Sequence, residues 1–271
     1  MADYPKEIIS KNDLTHFLKL DNSRFKFLAS WMMKVLKLEK LNDFYGPVSH
    51  LEGREFIERG LERLNVKYEV SEEDMNRIPK EGPFIVTSNH PFGVLDGFLV
   101  LSIFSKVRPD FRIVAHHLFN GLPQVLPWLI IVDAFDENKT AANSSSIKDV
   151  LTYVKKGGGV AFFPAGDVSR FQLKKMKVED KQWDPIVGKI ISRLKVPVVP
   201  VHFSGKNSLT YQLYALINNN LRLAKLPSEL INKKGELVKV KIGNAIPPSE
   251  LEKFSTPETF INHLRETTYN L

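Results

Sequence analysis

The pair of residues in this sequence best suited to acid–base chemistry is His90 and Asp96, which five residues separate. Both lie in the segment TSNHPFGVLDG, residues 87–97, between an apolar run typical of a strand and one typical of a helix. Pro91 and Gly93 are turn-forming residues, so His90 is expected where the strand passes into the helix. Asp96 then falls in the first helical turn, where the positive end of the helix dipole keeps a carboxylate ionised.

A compact turn brings the Asp96 carboxylate to one imidazole nitrogen of His90. The carboxylate then fixes the tautomer of the ring and stabilises its protonated form, and the other ring nitrogen serves as a general base for a hydroxyl group. The alternative is a helix-capping aspartate beside an unrelated surface histidine. The neighbouring Asn89, Pro91 and Gly93, with a strand and a helix on either side, favour the catalytic pair.

A second candidate site segment, GGGVAFFPAGDVSR, spans residues 157–170. Its apolar run leads into Phe163, Pro164 and Gly166, and the polar exit ends in Ser169 and Arg170. Proline and glycine at the carboxyl end of a strand let the backbone approach a ligand, and ligands of open α/β sheets bind beyond those ends. An arginine there is suited to pair with a carboxylate, a phosphate or a thioester carrier. The alternative is a plain turn with a solvated arginine.

Residues 196–208, VPVVPVHFSGKNS, form a third strand-like run that leads into a polar turn. Each of the three segments therefore places polar residues after a predicted strand.

The predicted fold class is α/β, with a mixed, partly parallel sheet flanked by helices. Candidate strands are residues 67–70, 84–87, 112–115, 129–132, 159–163, 196–203 and 238–242, and candidate helices are residues 95–105, 145–156, 185–194 and 208–226. Residues 238–242 alternate in polarity and are expected at a sheet edge. A closing helix is expected within residues 247–271. Residues 1–65 are predicted to be an N-terminal helical, membrane-associating region, and residues 66–271 the α/β domain.

The composition favours a membrane surface over nucleic acid as the polyanionic partner. The chain has 271 residues, a formal net charge of +7 and a charged fraction of 25%. No run of basic residues interleaved with aromatics is present, so nucleic acid is not predicted as a partner. Residues 24–38, RFKFLASWMMKVLKL, combine a narrow lysine stripe with a wide apolar face that includes Trp31. This pattern is typical of a helix lying in an anionic bilayer surface, and equally of a core helix with lysines at its edge.

Several protein classes are disfavoured. No charge-free apolar run reaches the eighteen or so residues of a spanning helix, and the N-terminus lacks an apolar signal region, so a peripheral protein at the cytoplasmic membrane face is expected. The absence of cysteine excludes thiolate metal sites and a thiol nucleophile. His116 and His117 adjoin each other at a predicted strand end, so opposite orientations are expected and no metal site is predicted. A hydrolase is disfavoured, because the chain lacks the Gly-x-Ser-x-Gly motif that carries the serine nucleophile in many hydrolases. A non-catalytic lipid-binding protein remains an alternative.

Taken together, the three segments resemble the lysophospholipid (glycerolipid) acyltransferase superfamily over roughly residues 80–207. That family shows a histidine, four residues and an aspartate, then a Phe-Pro-Glu-Gly block, then a Val-Pro-x-x-Pro-Val strand. Here the histidine–aspartate gap holds five residues, Ala165 replaces the glutamate, and no arginine adjoins residues 131–133, where glycerol-phosphate enzymes often carry one. The variant pattern is similar to a hemolysin-like branch that includes lyso-ornithine and lyso-glycine aminolipid acyltransferases.

The resemblance implies that the chain is an O-acyltransferase in which His90 and Asp96 form the catalytic pair. It implies an acyl thioester of acyl carrier protein or CoA as donor, a lyso-lipid as acceptor, and no metal or other cofactor. Because the phosphate-gripping arginine is missing, the acceptor is expected to be a lyso-aminolipid, with a 1-acylglycerol-3-phosphate acyltransferase as the alternative. The residues predicted to contact substrate are Asn89, Gly93, Phe163, Pro164, Gly166, Ser169 and Arg170.

Overall fold

The computed structural model describes residues 4–17, 27–132 and 140–271. Within them the helices are α1 (Lys11–Phe17), α2 (Phe27–Val35), α3 (Leu38–Tyr45), α4 (Gly53–Arg63), α5 (Glu72–Asn76), α6 (Val94–Phe104), α7 (Thr140–Lys155), α8 (Pro185–Leu194), α9 (Leu209–Ile217), α10 (Asn219–Asn232), α11 (Pro248–Leu251) and α12 (Pro257–Tyr269). The strands are β1 (Lys67–Glu69), β2 (Phe84–Ser88), β3 (Arg112–His116), β4 (Leu129–Val132), β5 (Gly159–Phe162), β6 (Arg170–Gln172), β7 (Lys177–Glu179), β8 (Val198–Phe203) and β9 (Leu237–Ile242).

The chain divides into two compact units. Unit 1 combines Met1–Lys67 with Asn207–Glu236, and unit 2 combines Tyr68–Lys206 with Leu237–Leu271. The boundary at Lys67 adjoins the one that the sequence predicts at residue 65. However, residues 207–236, which the prediction assigned to the α/β domain, belong to unit 1.

The sheet confirms the predicted mixed, partly parallel architecture. Its seven strands lie in the order β1-β9-β8-β2-β5-β3-β4. Strands β8, β2, β5, β3 and β4 are parallel, whereas β9 is antiparallel to β8. Strand β9 alternates exposed and buried residues as expected, but the prediction of an edge strand is wrong, because β1 lies outside it. Strands β6 and β7 form a separate antiparallel pair.

Both faces of the sheet in unit 2 are covered. Ile85 of β2 belongs to a buried apolar cluster with Phe162, Trp183 and side chains of α7, α8 and α12. Its neighbour Phe84 stacks instead on Phe104 and Phe111. Because successive strand residues point to opposite faces, helices pack on both sides of β2. This explains why the central strands read as continuous apolar runs.

Three local expectations are corrected. The predicted helix over residues 208–226 is two helices, because Asn218 leaves the helical conformation (φ −158°, ψ 132°) and its side chain caps α10. The helix predicted over residues 24–38 ends at Val35, since Lys37 adopts a left-handed φ of 54° before α3; residues 24–26 lie outside the described part of the chain. His116 and His117 do not point apart, because β3 ends there and their ring centroids lie 4.0 Å apart.

Among the helices that the structure describes, none is both long enough and apolar enough to cross a membrane.

Candidate active site

The predicted site residues of unit 2 lie at the carboxyl ends of neighbouring parallel strands. His90 follows β2, and Phe163 directly follows β5, which pairs with β2 in parallel register. Strand β8 flanks β2 on the other side, with Ser88 opposite Val201. The rings of His90 and Phe163 stack with centroids 4.2 Å apart. The first and second sequence segments therefore meet, as the strand order requires.

The structure brings His90 and Asp96 together. His90 Nδ1 lies 2.9 Å from Asp96 Oδ2, and the Asp96 side chain is 0% exposed whereas the histidine is 19% exposed. The ring N–H is not aligned on the oxygen as in a regular hydrogen bond, and Nδ1 is buried. An imidazole whose Nδ1 faces a buried carboxylate has Nε2 as its remaining site for proton transfer.

The turn between the two residues is built around the same carboxylate. Asp96 Oδ2 accepts the backbone N–H groups of Phe92 at 2.8 Å and Gly93 at 2.9 Å. Gly93 has φ 93° and ψ −119°, a conformation that favours glycine, which explains the glycine before the helix. Oδ1 is buried and accepts no hydrogen bond from the described residues. The carboxylate thus retains acceptor capacity close to the imidazole.

Asn89 holds two strands together. Its Nδ2 donates to Phe203 O at 2.9 Å, its Oδ1 accepts from Phe203 N at 2.8 Å, and the residue is 3% exposed. Both ends of the amide are therefore used by the backbone of β8. The Asn89 side chain therefore fixes the backbone directly before His90. The geometry does not support a contact between this side chain and a substrate.

The second segment forms a tight turn beside His90. Gly166 N donates to Phe163 O at 2.9 Å, and Gly166 has a φ of 59°. Pro164 is buried, and its carbonyl accepts from Asp184 N at 2.9 Å. Ala165, where the resembling family carries glutamate, is 1% exposed and belongs to the apolar core cluster. A glutamate side chain at that position would point into the core.

Sequence reasoning missed Asp180, a buried aspartate that binds the segments carrying His90 and Ser169. Its Oδ1 accepts from the backbone N–H of His90 at 3.2 Å and from the Ser169 hydroxyl, and its Oδ2 accepts from Trp183 Nε1 at 2.9 Å. Ser169 N in turn donates to His90 O at 2.8 Å. Both backbone polar groups of His90 are thereby held. No sequence signal points to this residue, which lies 90 positions beyond His90.

The C-terminal helix completes the surroundings of Asp180. The Tyr269 hydroxyl accepts from Asp180 N at 2.8 Å, and Arg265 donates to Asp180 O at 3.0 Å. Burial raises the pKa of the Asp180 carboxyl above its ordinary value, against the opposing effect of its hydrogen bonds from Ser169, Trp183 and the His90 backbone. Burial also raises the pKa of the Tyr269 hydroxyl, as does the nearby Asp180.

Ser169 and Arg170 differ in what they offer to a ligand. The Ser169 side chain is 2% exposed and committed to Asp180, so its role is structural in this arrangement. Arg170 begins β6, is partly exposed, and its guanidinium has no acceptor among the described residues. It is one residue from the Ser169 N–His90 O hydrogen bond. Arg170 is therefore the cation of the second segment that remains available to an anionic group.

No group of three or more metal-ligating side chains occurs among the residues that the structure describes. His90 Nδ1 lies next to the Asp96 carboxylate, and the backbone N–H of His90 donates to Asp180. A histidine oriented by a carboxylate can transfer a proton through Nε2.

Comparison with known proteins gives matches along most of the chain. The model of a family described as "Acyltransferase" matches residues 19–271. A lyso-glycine lipid O-acyltransferase of Bacteroides thetaiotaomicron is 26% identical over 254 residues, covering 91% of this chain and 90% of the relative. A protein of the same name from Phocaeicola vulgatus is 28% identical over 255 residues, covering 91% and 88%.

Among solved structures, the 1-acyl-sn-glycerophosphate (LPA) acyltransferase PlsC of Thermotoga maritima matches with a TM-score of 0.50. The match covers 89% of this chain and 86% of that protein at 20% identity. At this identity the likeness concerns the fold alone. It confirms the predicted glycerolipid acyltransferase fold.

Proposed function

The chain belongs to the acyltransferase family, and we propose that it transfers a fatty acyl group from a thioester to the hydroxyl group of a lyso-lipid. The observation that carries this proposal is the contact of 2.9 Å between His90 Nδ1 and the buried Asp96 Oδ2. A histidine oriented in this way presents Nε2 as a base. The names of the two bacterial relatives support a lipid hydroxyl as the acceptor.

In the proposed reaction, His90 Nε2 takes the proton of the acceptor hydroxyl as its oxygen attacks the thioester carbonyl. Asp96 stabilises the imidazolium that forms. The C–O bond forms first, and the C–S bond then breaks. The departing thiolate receives the proton from His90, so no covalent enzyme intermediate is needed and the histidine returns to its neutral form.

The developing oxyanion requires hydrogen-bond donors beside His90. The turn Phe163–Gly166 is adjacent, because the Phe163 ring stacks on the imidazole. Within that turn the Gly166 N–H is already donated to Phe163 O. The Ala165 N–H has no acceptor among the described residues. We therefore assign the Ala165 N–H as the group that donates a hydrogen bond to the oxyanion.

The donor substrate is an acyl thioester of acyl carrier protein or CoA. A thioester carries its acyl group in activated form, so the scheme uses no metal and no other cofactor. His90, Asp96 and backbone donors supply proton transfer and charge stabilisation.

The acceptor in this proposal is a lyso-aminolipid whose reacting group is the 3-hydroxyl of an N-linked 3-hydroxy fatty acid. Two observations support it. Both relatives are named lyso-glycine lipid O-acyltransferases, and no arginine stands at or beside residues 131–133 in the sequence. Arg170 is placed to bind the anionic end of such an acceptor, because a guanidinium pairs well with a carboxylate.

The enzyme is proposed to act at the cytoplasmic face of a membrane as a peripheral protein, in contact with anionic lipid. In helix α2, Phe27 is 63% exposed and Trp31 58% exposed, whereas Ala29 and Met33 are buried. Exposed aromatics on a helix with Lys34 nearby fit the interfacial interpretation of this segment. Nucleic acid is not a proposed partner.

The experiment that tests this function is acyl transfer from acyl carrier protein and from CoA to a panel of lyso-lipids. Lyso-glycine and lyso-ornithine lipids should be acylated in preference to lysophosphatidate. Arg170→Ala should raise the KM for the lyso-glycine lipid, whereas Arg59→Ala, which alters an exposed arginine of unit 1, should not. Preference for lysophosphatidate would contradict the acceptor, and absence of transfer to every lipid would contradict the reaction and favour a lipid-binding protein.

A further inference from the structure

Helix α9 exposes a row of large apolar side chains, whereas a helix on a water-facing surface exposes mainly polar ones. Leu209, Leu213, Leu216 and Ile217 are 77%, 57%, 46% and 71% exposed. These positions follow helical spacing and share one face. On the buried side, Tyr211 is 0% exposed and Gln212 is 6% exposed. Large side chains gain most from burial, so a contiguous exposed row of them indicates an apolar partner.

The polar contacts of unit 1 hold the helix in this orientation. Ser208 caps α9 by accepting from Tyr211 N at 3.2 Å, and its hydroxyl donates to Glu229 Oε1 at 2.7 Å. The Tyr211 hydroxyl accepts from Arg222 Nη1 at 3.0 Å, and Arg222 is 1% exposed. Rotating α9 to bury its leucines would break these contacts and leave the buried guanidinium of Arg222 without that partner. The apolar face is therefore fixed outward.

The charge pattern of the segment shows what kind of apolar partner fits. Residues 207–228, the part of unit 1 that carries α9, contain no aspartate or glutamate. Their two basic residues are Arg222, which is buried, and Lys225. Helix α9 itself has no charged residue. An uncharged apolar row in an acid-free segment fits an anionic lipid surface, whose headgroups repel carboxylates.

We infer that the outward face of α9 docks into a lipid bilayer. Leu209, Leu213, Leu216 and Ile217 would enter the boundary between headgroups and acyl chains, as in an in-plane interfacial helix. Leu221 and Leu223 of α10 are further exposed apolar side chains of the same unit. This role rests on the proposed function, because a lyso-lipid acceptor resides in a bilayer.

The test is partition of the full chain onto vesicles of equal parts phosphatidylcholine and phosphatidylglycerol, measured by flotation without substrate. Leu213→Glu should lower the partition constant about tenfold or more, because a carboxylate replaces a leucine that the bilayer buries. Leu213→Gln should also lower it, since loss of apolar surface is sufficient. The matched control is Leu237→Glu, which introduces the same charge on β9 at 56% exposure and should leave the partition nearly unchanged.

Two further measurements distinguish loss of membrane docking from loss of folding or of catalysis. The thermal unfolding midpoint of each variant should equal that of the wild type, because the substituted side chains are exposed. Acyl transfer to a short-chain, water-soluble acceptor should be the same for Leu213→Glu and wild type. If no acceptor is acylated and Leu213→Glu still loses vesicle binding, the docking face stands and the proposed reaction fails.

Equal vesicle binding by Leu213→Glu and Leu237→Glu would overturn the docking role of α9. So would a change of oligomeric state in Leu213→Glu with vesicle binding intact, which would show that the face contacts a second copy of the chain. Loss of binding to acyl carrier protein with vesicle binding intact would likewise assign the face to a protein partner.

Discussion

Asp180 shows how strongly a single buried side chain can determine the position of a reactive one. Its carboxylate takes hydrogen bonds from the His90 backbone, the Ser169 hydroxyl and the Trp183 indole. These donors tie the residues flanking β2 and β5 to one acceptor. The position of His90, the proposed general base, therefore depends on a buried aspartate.

Replacing Asp180 with asparagine tests this positioning role. The asparagine amide has the same size as the carboxylate. However, its NH₂ group is a donor and would face one of the three donors that now bind Asp180, so that hydrogen bond would be lost. We expect kcat to fall about tenfold, since hydrogen bonds to a charged acceptor contribute about 1.5–3 kcal/mol, with little change in KM. Steady-state kinetics measure both parameters. Adding Trp183→Phe, which removes one opposing donor, should restore part of the loss.

The control for Asp180→Asn is Asp184→Asn, an aspartate of the same loop that caps α8 through Ile186 N. It should lower stability slightly and leave kcat unchanged. Equal kcat values for the two variants would show that Asp180 has no part in positioning His90.

At the level of elements, the turn after β8 and the turn after β2 pack together through a glycine. Gly205 has a φ of +134°, and a Cβ there would lie 2.3 Å from the Phe92 ring. Phe92 donates its N–H to the carboxylate of Asp96. The end of β8 thus limits the space available to the turn that holds His90 and Asp96.

Gly205→Ala is expected to destabilise the protein by about 1–3 kcal/mol and to reduce activity, because both the backbone conformation and the Phe92 contact are disturbed. Denaturant unfolding measures the first effect. Phe92→Leu in the same chain should recover the steric part. Gly235→Ala provides the comparison, since Gly235 has a φ of +83° with nothing within 4 Å. If Gly205→Ala lowers the free energy of unfolding no more than Gly235→Ala does, the Phe92 ring does not restrict position 205.

Local patterns predicted most of the elements of unit 2 and the turn that joins His90 to Asp96. The apolar runs matched the central strands because those strands are covered on both faces. Local patterns did not predict contacts between residues that are far apart in the sequence, because these depend on the order of the strands. Asn89 binds Phe203 across 114 positions, and no spacing rule anticipates that pair. The sequence predicted helix over residues 208–226, but it did not indicate the break at Asn218 or which face of α9 meets solvent.

For the whole molecule, buried ionisable groups link stability to pH. Burial lowers the pKa of His202, which packs edge-on against Tyr269 with centroids 5.6 Å apart. Below a pH of about 6.5 the unfolded chain protonates this histidine while the folded chain resists doing so. The free energy of unfolding should therefore fall as pH decreases through that range. Asp180 acts in the opposite direction, since its raised pKa favours proton uptake in the folded state.

Denaturant unfolding from pH 7 to pH 5 checks the contribution of His202. His202→Asn removes the titrating group, so its stability should decline less over this range than that of the wild type. His50→Asn, at an exposed histidine, should follow the wild-type slope. Parallel curves for His202→Asn and wild type would show that His202 does not contribute to the pH dependence.

We propose His90, oriented by Asp96, as the general base of acyl transfer. The most direct measurement is the single-turnover rate of acyl transfer to the preferred lyso-lipid for wild type, His90→Ala and Asp96→Asn, with His50→Ala as the histidine control. We predict a fall of about a hundredfold or more for His90→Ala, a large fall for Asp96→Asn, and a wild-type rate for His50→Ala. A rate for His90→Ala equal to that of the wild type would show that His90 is not the general base.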